Sequence, residues 1–295
     1  MSVLEQGVWK VNKQVSDLMI EDRFNSDFTL QQGRHHLYMS LACPFAHRVL
    51  LVINYLGLNE LISFSSVAPE RGNNGWQFNE KFPDKVNGKG SLIELYLAAK
   101  SDYSGRVSVP LLWDKHTNTA VNNDSLSIAA HLASTGVAKA NNPITLLPDS
   151  LVLENQKMNK WLHEHVNRKV YHIGFANNQK DYEEASLVFF NALEQLDNRL
   201  EKYLYLFGDK ITISDLVLLP TLVRMEAVYE YHFKANLKSL NQFKNLYRYM
   251  LNLLDIDSIR ATVDIEHMKT HYYSSHRHIN PEGVIPLGPS IKWSK

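Results

Sequence analysis

The spacing of apolar positions changes character midway along the chain. In the first half, short apolar runs alternate with a helical period. His36 to Leu41 reads as a strand, and from Pro44 the apolar residues Ala46, Val49, Leu50, Ile53 and Leu56 recur at helical spacing until Gly57 supplies a stop. Leu61 to Val67 reads as a second strand. Residues 68–106 hold no sustained period and carry Gly72, Gly75, Gly88, Gly90 and Gly105, which predicts a long loop of the kind that is usually functional or mobile. Val107 to Trp113 forms a third strand interrupted by Pro110, and a turn-rich stretch from Asp114 leads to Val121. Asn122-Asn123-Asp124-Ser125 then opens a short helix through about Ala133.

That order, βαβ then ββα, is the thioredoxin arrangement. Beyond it, residues 136–148 read as a linker with Pro143 and Pro148 among small polar residues. The pattern after that is helical, over roughly 151–168, 182–203, 213–229 and 243–254. Thr212 followed by Asp215 resembles a capping box, with Ile211 as a staple residue, and fixes the start of the helix at Ile213. After about Thr262 the tail is rich in aromatics and histidines, then in Gly and Pro. The expected fold is therefore an α/β thioredoxin-like N-terminal domain over 1–135, a linker over 136–148, and an all-α C-terminal domain with an extension over 149–295.

Composition narrows the partners. With 31 basic and 31 acidic side chains, the chain carries no electrostatic footprint for nucleic acid and no polybasic membrane patch. No apolar run approaches the length that spans a membrane, and Met1 to Lys13 lacks the pattern of a secretory signal, so a cytoplasmic protein is expected. A single cysteine among 295 residues excludes an intrachain disulfide. If Cys43 forms a mixed disulfide, the resolving thiol must come from solution, where glutathione is the abundant candidate in a reducing compartment.

The sequence around that cysteine is specific. Cys43-Pro44-Phe45-Ala46 lies where a strand gives way to a helix, and Pro44 suits the first helical position because its missing N–H is not needed there. Cys43 is thus placed at the N-cap, where free amides and the helix dipole favour an anion, lower the thiol's pKa and make it a nucleophile. Ala46 occupies the place of the second cysteine in a C-x-x-C pair, so the chemistry is monothiol. A buried, inert cysteine is the competing reading. Val109-Pro110 fits a cis bond facing the cysteine, leaving Val109 to pair its backbone with a peptide-like ligand; an ordinary edge proline is the alternative. Asp124 and Ser125 offer a carboxylate, a hydroxyl and free amides that suit the γ-glutamyl end of glutathione, or merely cap the helix. His271, His276 and His278 match no helical metal-ligand spacing and have no second thiolate to join them, so no metal is expected.

The run Gly33 to Arg48, GRHHLYMSLACPFAHR, resembles the active-site segment of the Xi class of glutathione transferases, the glutathionyl-hydroquinone reductases. The stretch His267 to Pro289 is similar to that class's C-terminal signature, and Asn74 to Phe78, Arg106 to Asp114, Tyr171 to Ala176 and Tyr229 to Asn236 resemble it as well. The resemblance implies glutathione as co-substrate, held by Trp76, by Arg106, Val107, Ser108 and Val109, and by Asp124 with Ser125. It implies Cys43 as nucleophile, Tyr171 as proton donor, and Tyr229 and Tyr272 with hydroxyls in the site. It further implies the glutathione transferase fold, a glutathionylated quinol as substrate and a homodimer. Two departures stand out: Phe45 replaces the usual Trp, and Asp124 the usual Glu. An omega-like reductase of dehydroascorbate or protein mixed disulfides, or a non-catalytic binding module of the same fold, are the alternatives to a reductase of glutathionyl-hydroquinones.

Overall fold

A computed structural model describes residues 2–11, 22–136, 144–291 and 293. The chain divides into two compact units, Met1–Asn141 and Asn142–Lys295. The greater part of the expected linker, residues 137–143, lies outside the described residues.

The N-terminal unit begins with a small hairpin, β1 (Val3–Glu5) and β2 (Val8–Lys10). Its main sheet is built from β3 (His35–Met39), β4 (Ile62–Ser66), β5 (Leu111–Asp114) and β6 (Thr119–Asn122), in the order β4-β3-β5-β6. β3 and β4 are parallel, and the other neighbours antiparallel. α1 (Pro44–Leu56) lies between β3 and β4, α2 (Leu92–Ala99) between β4 and β5, and α3 (Ser125–Thr135) follows β6, which completes the thioredoxin-like order. Gly57 ends α1 in the left-handed region at φ 68°, where a side chain would be strained; its N–H reaches Asn54 O and that of Leu58 reaches Ile53 O, closing the last turn.

Two expectations need correction in this unit. The stretch 68–106 is not all loop, because α2 lies within it. Ser91 caps that helix, donating to Glu94 Oε1 at 2.9 Å and accepting from its N–H, and Leu92, Leu95 and Tyr96 form the buried face. The remainder is organised by the buried Asp84, whose carboxylate accepts from the hydroxyl of Tyr38 and from the amides of Val86, Asn87 and Lys89. The third strand is also shorter than expected. It begins at Leu111, after Pro110 rather than through it, since proline has no N–H to give the ladder.

The C-terminal unit is helical throughout. It contains α4 (Val152–Leu162), α5 (Lys169–Gly174), α6 (Gln179–Lys202), α7 (Ile213–Arg224), α8 (Glu230–His232), α9 (Lys244–Leu254), α10 (Asp257–Arg260) and α11 (Ile265–Ser275). Every residue of α7 is buried, so it is the core helix of the unit. The expected capping box holds: the Asp215 carboxylate accepts from the Thr212 N–H at 2.7 Å and hydroxyl at 3.1 Å, and also from Leu206 N–H and the Tyr249 hydroxyl. The helix expected over 151–168 instead passes through a wider π-helical turn at His163–Asn167 and continues as α5. A second such turn, Met225–Tyr229, follows α7, whose Pro220 already removes one hydrogen bond of the helical ladder. The tail after Thr262 opens as a helix, α11, which Asp264 caps by accepting from the His267 N–H at 2.8 Å.

Candidate active site

Because β3 and β4 are parallel, both open at their C-terminal ends on one edge of the sheet. The first delivers Cys43 there and the second delivers the segment leading to Trp76, with the Val67 N–H extending the ladder to Met39 O. Cys43 sits at the N-cap of α1 with extended backbone angles, φ −78° and ψ 118°, and Pro44 follows as the first helical residue. Its side chain makes no capping bond to the helix and is half-buried rather than sealed in the core. The Sγ atom lies 3.8 Å from the carbonyl oxygen of Val109, and the Val109–Pro110 bond is cis. His47 and Arg48 are buried residues of α1, the Arg48 guanidinium resting 5.1 Å from the Phe45 ring centroid.

Sequence reasoning overlooked one cation. Burial pushes the Arg71 guanidinium below its ordinary range, and the charge of Cys43 opposes that shift. The interaction is reciprocal: a guanidinium that is stabilised by the thiolate also stabilises the thiolate. Arg71 stacks over the Trp76 ring at 5.2 Å, which fixes its direction. A lone arginine between Glu70 and Gly72 gives no signal by spacing, but its position just beyond a strand parallel to the one before Cys43 does. Arg71→Met is expected to slow alkylation of Cys43 at neutral pH roughly five- to tenfold, since loss of the cation disfavours the thiolate. Raising the pH should restore the rate, and an unchanged rate–pH profile for iodoacetamide would contradict the assignment.

The other residues proposed for the tripeptide lie in the same unit. Val107 and Val109 are buried, Ser108 is half-buried and Arg106 is exposed. Trp76 is buried, at 7% exposure. Asp124 is the N-cap of α3, its Oδ1 accepting from Ser127 N–H at 2.7 Å while the residue remains exposed, and Ser125 is the first residue of the helix. Capping and an exposed carboxylate thus coexist at Asp124.

In the C-terminal unit three tyrosines far apart in sequence share a chain of hydroxyls. Tyr171 in α5 lies 2.5 Å from Tyr272 in α11, and Tyr272 lies 3.1 Å from Tyr229 at the end of the second π-helical turn. Tyr229 and Tyr272 are fully buried and Tyr171 half-buried. Burial, followed by the neighbouring Tyr229, pushes the Tyr272 hydroxyl well above its ordinary value, while the buried Arg224 partly offsets this. Phe233 stacks on Tyr229 at 5.3 Å and meets Tyr171 and Tyr272 edge-on. The absence of a side chain at Gly174 makes room for it, since a Cβ there would fall 2.2 Å from the Phe233 ring. Tyr231, by contrast, is 61% exposed.

The histidines of the tail belong to the same aromatic cluster. His276 Nδ1 lies 3.1 Å from His232 Nε2, and burial holds His232 down at about 4, so it is neutral near pH 7. Among the described residues, no group of three or more His, Cys, Asp or Glu side chains could hold a metal ion. No helix among them is long and apolar enough to cross a membrane.

Comparison with known proteins places both units. The model of the glutathione S-transferase N-terminal domain matches residues 42–135, and that of the C-terminal domain matches residues 179–251. The chain is 39% identical over 269 residues to the glutathionyl-hydroquinone reductase PcpF of Sphingobium chlorophenolicum, covering 90% of this chain and 86% of that protein. Among solved structures, the Xi class glutathione transferase from Natrialba magadii superposes with a TM-score of 0.95 at 33% identity, over 100% of this chain and 96% of that one. The glutathione-bound structure of YqjG, a glutathione transferase homologue from Escherichia coli K-12, superposes with a TM-score of 0.91 at 34% identity, over 99% and 97%.

Proposed function

We propose that this chain, which belongs to the Xi class of the glutathione transferases, removes glutathione from glutathionylated hydroquinones at the expense of a second glutathione. The observation that carries the reading is the half-buried Cys43 thiol at the open end of α1, in a chain with no other cysteine.

The chemistry follows from the leaving group. Direct attack on sulfur bound to an aromatic ring would expel an aryl carbanion. If the hydroquinone first tautomerises to a ketone, the carbon bearing sulfur becomes tetrahedral and departs as an enolate. The Cys43 thiolate then attacks the glutathionyl sulfur: an S–S bond forms, the C–S bond breaks, and its electron pair passes to the ring, which regains aromaticity as a phenolate. Tyr171 protonates that oxygen and hydroquinone leaves. What supports this role is the hydroxyl chain, because the negative charge left on Tyr171 accepts a hydrogen bond from Tyr272, which Tyr229 holds in turn. In the second half-reaction a glutathione thiol gives its proton back to Tyr171 and attacks the Cys43 mixed disulfide. Oxidised glutathione departs and the Cys43 thiolate is restored. In the ground state glutathione is held by Trp76, Arg106 to Val109, Asp124 and Ser125.

The purified protein, given a glutathionyl-hydroquinone and glutathione, should form hydroquinone and oxidised glutathione in equal amounts with ping-pong kinetics. Turnover of simple mixed disulfides that exceeds turnover of the hydroquinone would favour an omega-like reductase instead. The reading also carries a cytoplasmic location and a homodimer; sedimentation of the purified protein tests the second.

A further inference from the structure

Within the reading just given, the structure assigns Tyr96 as a positioning residue for glutathione: its hydroxyl joins the Ser108 backbone and Asn123, the two stretches that would grip opposite parts of the tripeptide. The hydroxyl donates to Ser108 O at 2.8 Å and accepts from Ser108 N–H at 3.3 Å and from Asn123 Nδ2 at 3.2 Å. One donor and two acceptor sites are the whole capacity of a phenolic oxygen, and all three are used. Both backbone groups of Ser108 are therefore turned toward Tyr96, which sets the direction of the peptide groups on either side of it, at Val107 and Val109. Asn123 immediately precedes Asp124, the N-cap of α3.

The same hub explains a segment for which the sequence offered no role. Asn123 Oδ1 accepts from the Phe24 N–H at 3.3 Å and the Asn123 N–H donates to Phe24 O at 3.0 Å. The Phe24 ring lies stacked on Tyr103 at 5.3 Å and edge-on to Tyr96 at 5.6 Å. Lys100 pairs with Asp22, whose carboxylate also accepts from Ser104 N–H at 2.7 Å. Residues 22–26 thus strap the hub from outside. Tyr96 is fully buried, burial pushes its hydroxyl up, and the hydroxyl's partners are Ser108 and Asn123 rather than Cys43. Its effect must pass through the residues it holds.

Tyr96→Phe removes only the oxygen. Glutathione binding, measured by calorimetry in the Cys43→Ser background so that no disulfide forms, is expected to weaken roughly tenfold, as loss of well-placed hydrogen bonds predicts. With Cys43 intact, KM for glutathione should rise by a similar factor and kcat change by less than about twofold. Asn123→Ala should weaken binding in the same direction, which keeps the inference testable if Tyr96→Phe folds poorly. Tyr249→Phe is the matched control, because it loses an equally buried hydroxyl bonded to Asp215 in the C-terminal unit rather than to Ser108 or Asn123. Unchanged affinity in folded Tyr96→Phe and Asn123→Ala proteins, or an equal loss in Tyr249→Phe, overturns the inference. A parent protein that binds no glutathione would instead overturn the function proposed above.

Discussion

Serine in place of Cys43 is expected to lower turnover of a glutathionyl-hydroquinone by on the order of 10³-fold or more, with glutathione affinity nearly unchanged. The size of the effect follows from what the position supplies. The end of α1 presents amides and the positive end of the helix dipole to an anion, and Arg71 adds a cation that responds to the charge on Cys43. A hydroxyl at the same place remains protonated near neutral pH and cannot take the glutathionyl group as a stable disulfide. No other cysteine in the chain can substitute. Residual turnover at a tenth of the parent rate would mean that the enzyme activates glutathione's own thiol, and Cys43 would then be a bystander.

Phenylalanine in place of Tyr171 should slow release of hydroquinone by about 10²- to 10³-fold, the usual worth of a general acid. Its reduction of a small glutathione mixed disulfide should change by less than about threefold. The contrast arises because a thiolate leaves a disulfide without help, whereas an enolate-type fragment needs a proton. Tyr272→Phe is expected to fall between these limits, at about tenfold, because it acts on the reaction only through its 2.5 Å contact with Tyr171. Equal losses on both substrates in Tyr171→Phe would show that the residue shapes the unit rather than donating a proton.

Features set by adjacent residues were legible in the sequence. Strand followed by Cys43-Pro44 placed the thiol at an N-cap, Gly57 marked the end of α1, and Thr212 with Asp215 marked the start of α7. Where structure depends on distant partners, the local pattern fell short. Ser91-Leu92-Ile93-Glu94 carries a capping signal for α2, yet the surrounding glycines concealed it, and Asp84, which orders the neighbouring loop, acts through Tyr38 on a distant strand. The π-helical turns break the 3.6-residue period on which helix reading rests, and one of them sets the position of Tyr229. The hydroxyl contacts span 101 residues between Tyr171 and Tyr272 and 43 between Tyr229 and Tyr272, so no spacing rule could have joined them. Only the family resemblance separated them from Tyr231, and that resemblance is silent on Arg71 and Tyr96.

Everything in the mechanism passes through one covalent state, which mass spectrometry can capture. The protein is incubated with a glutathionyl-hydroquinone and no free glutathione, so that the second half-reaction cannot proceed. One glutathionyl group per chain should appear on the peptide containing Cys43, with one equivalent of hydroquinone released, and added glutathione should discharge it as the oxidised disulfide. Hydroquinone released while Cys43 stays unmodified would contradict the account.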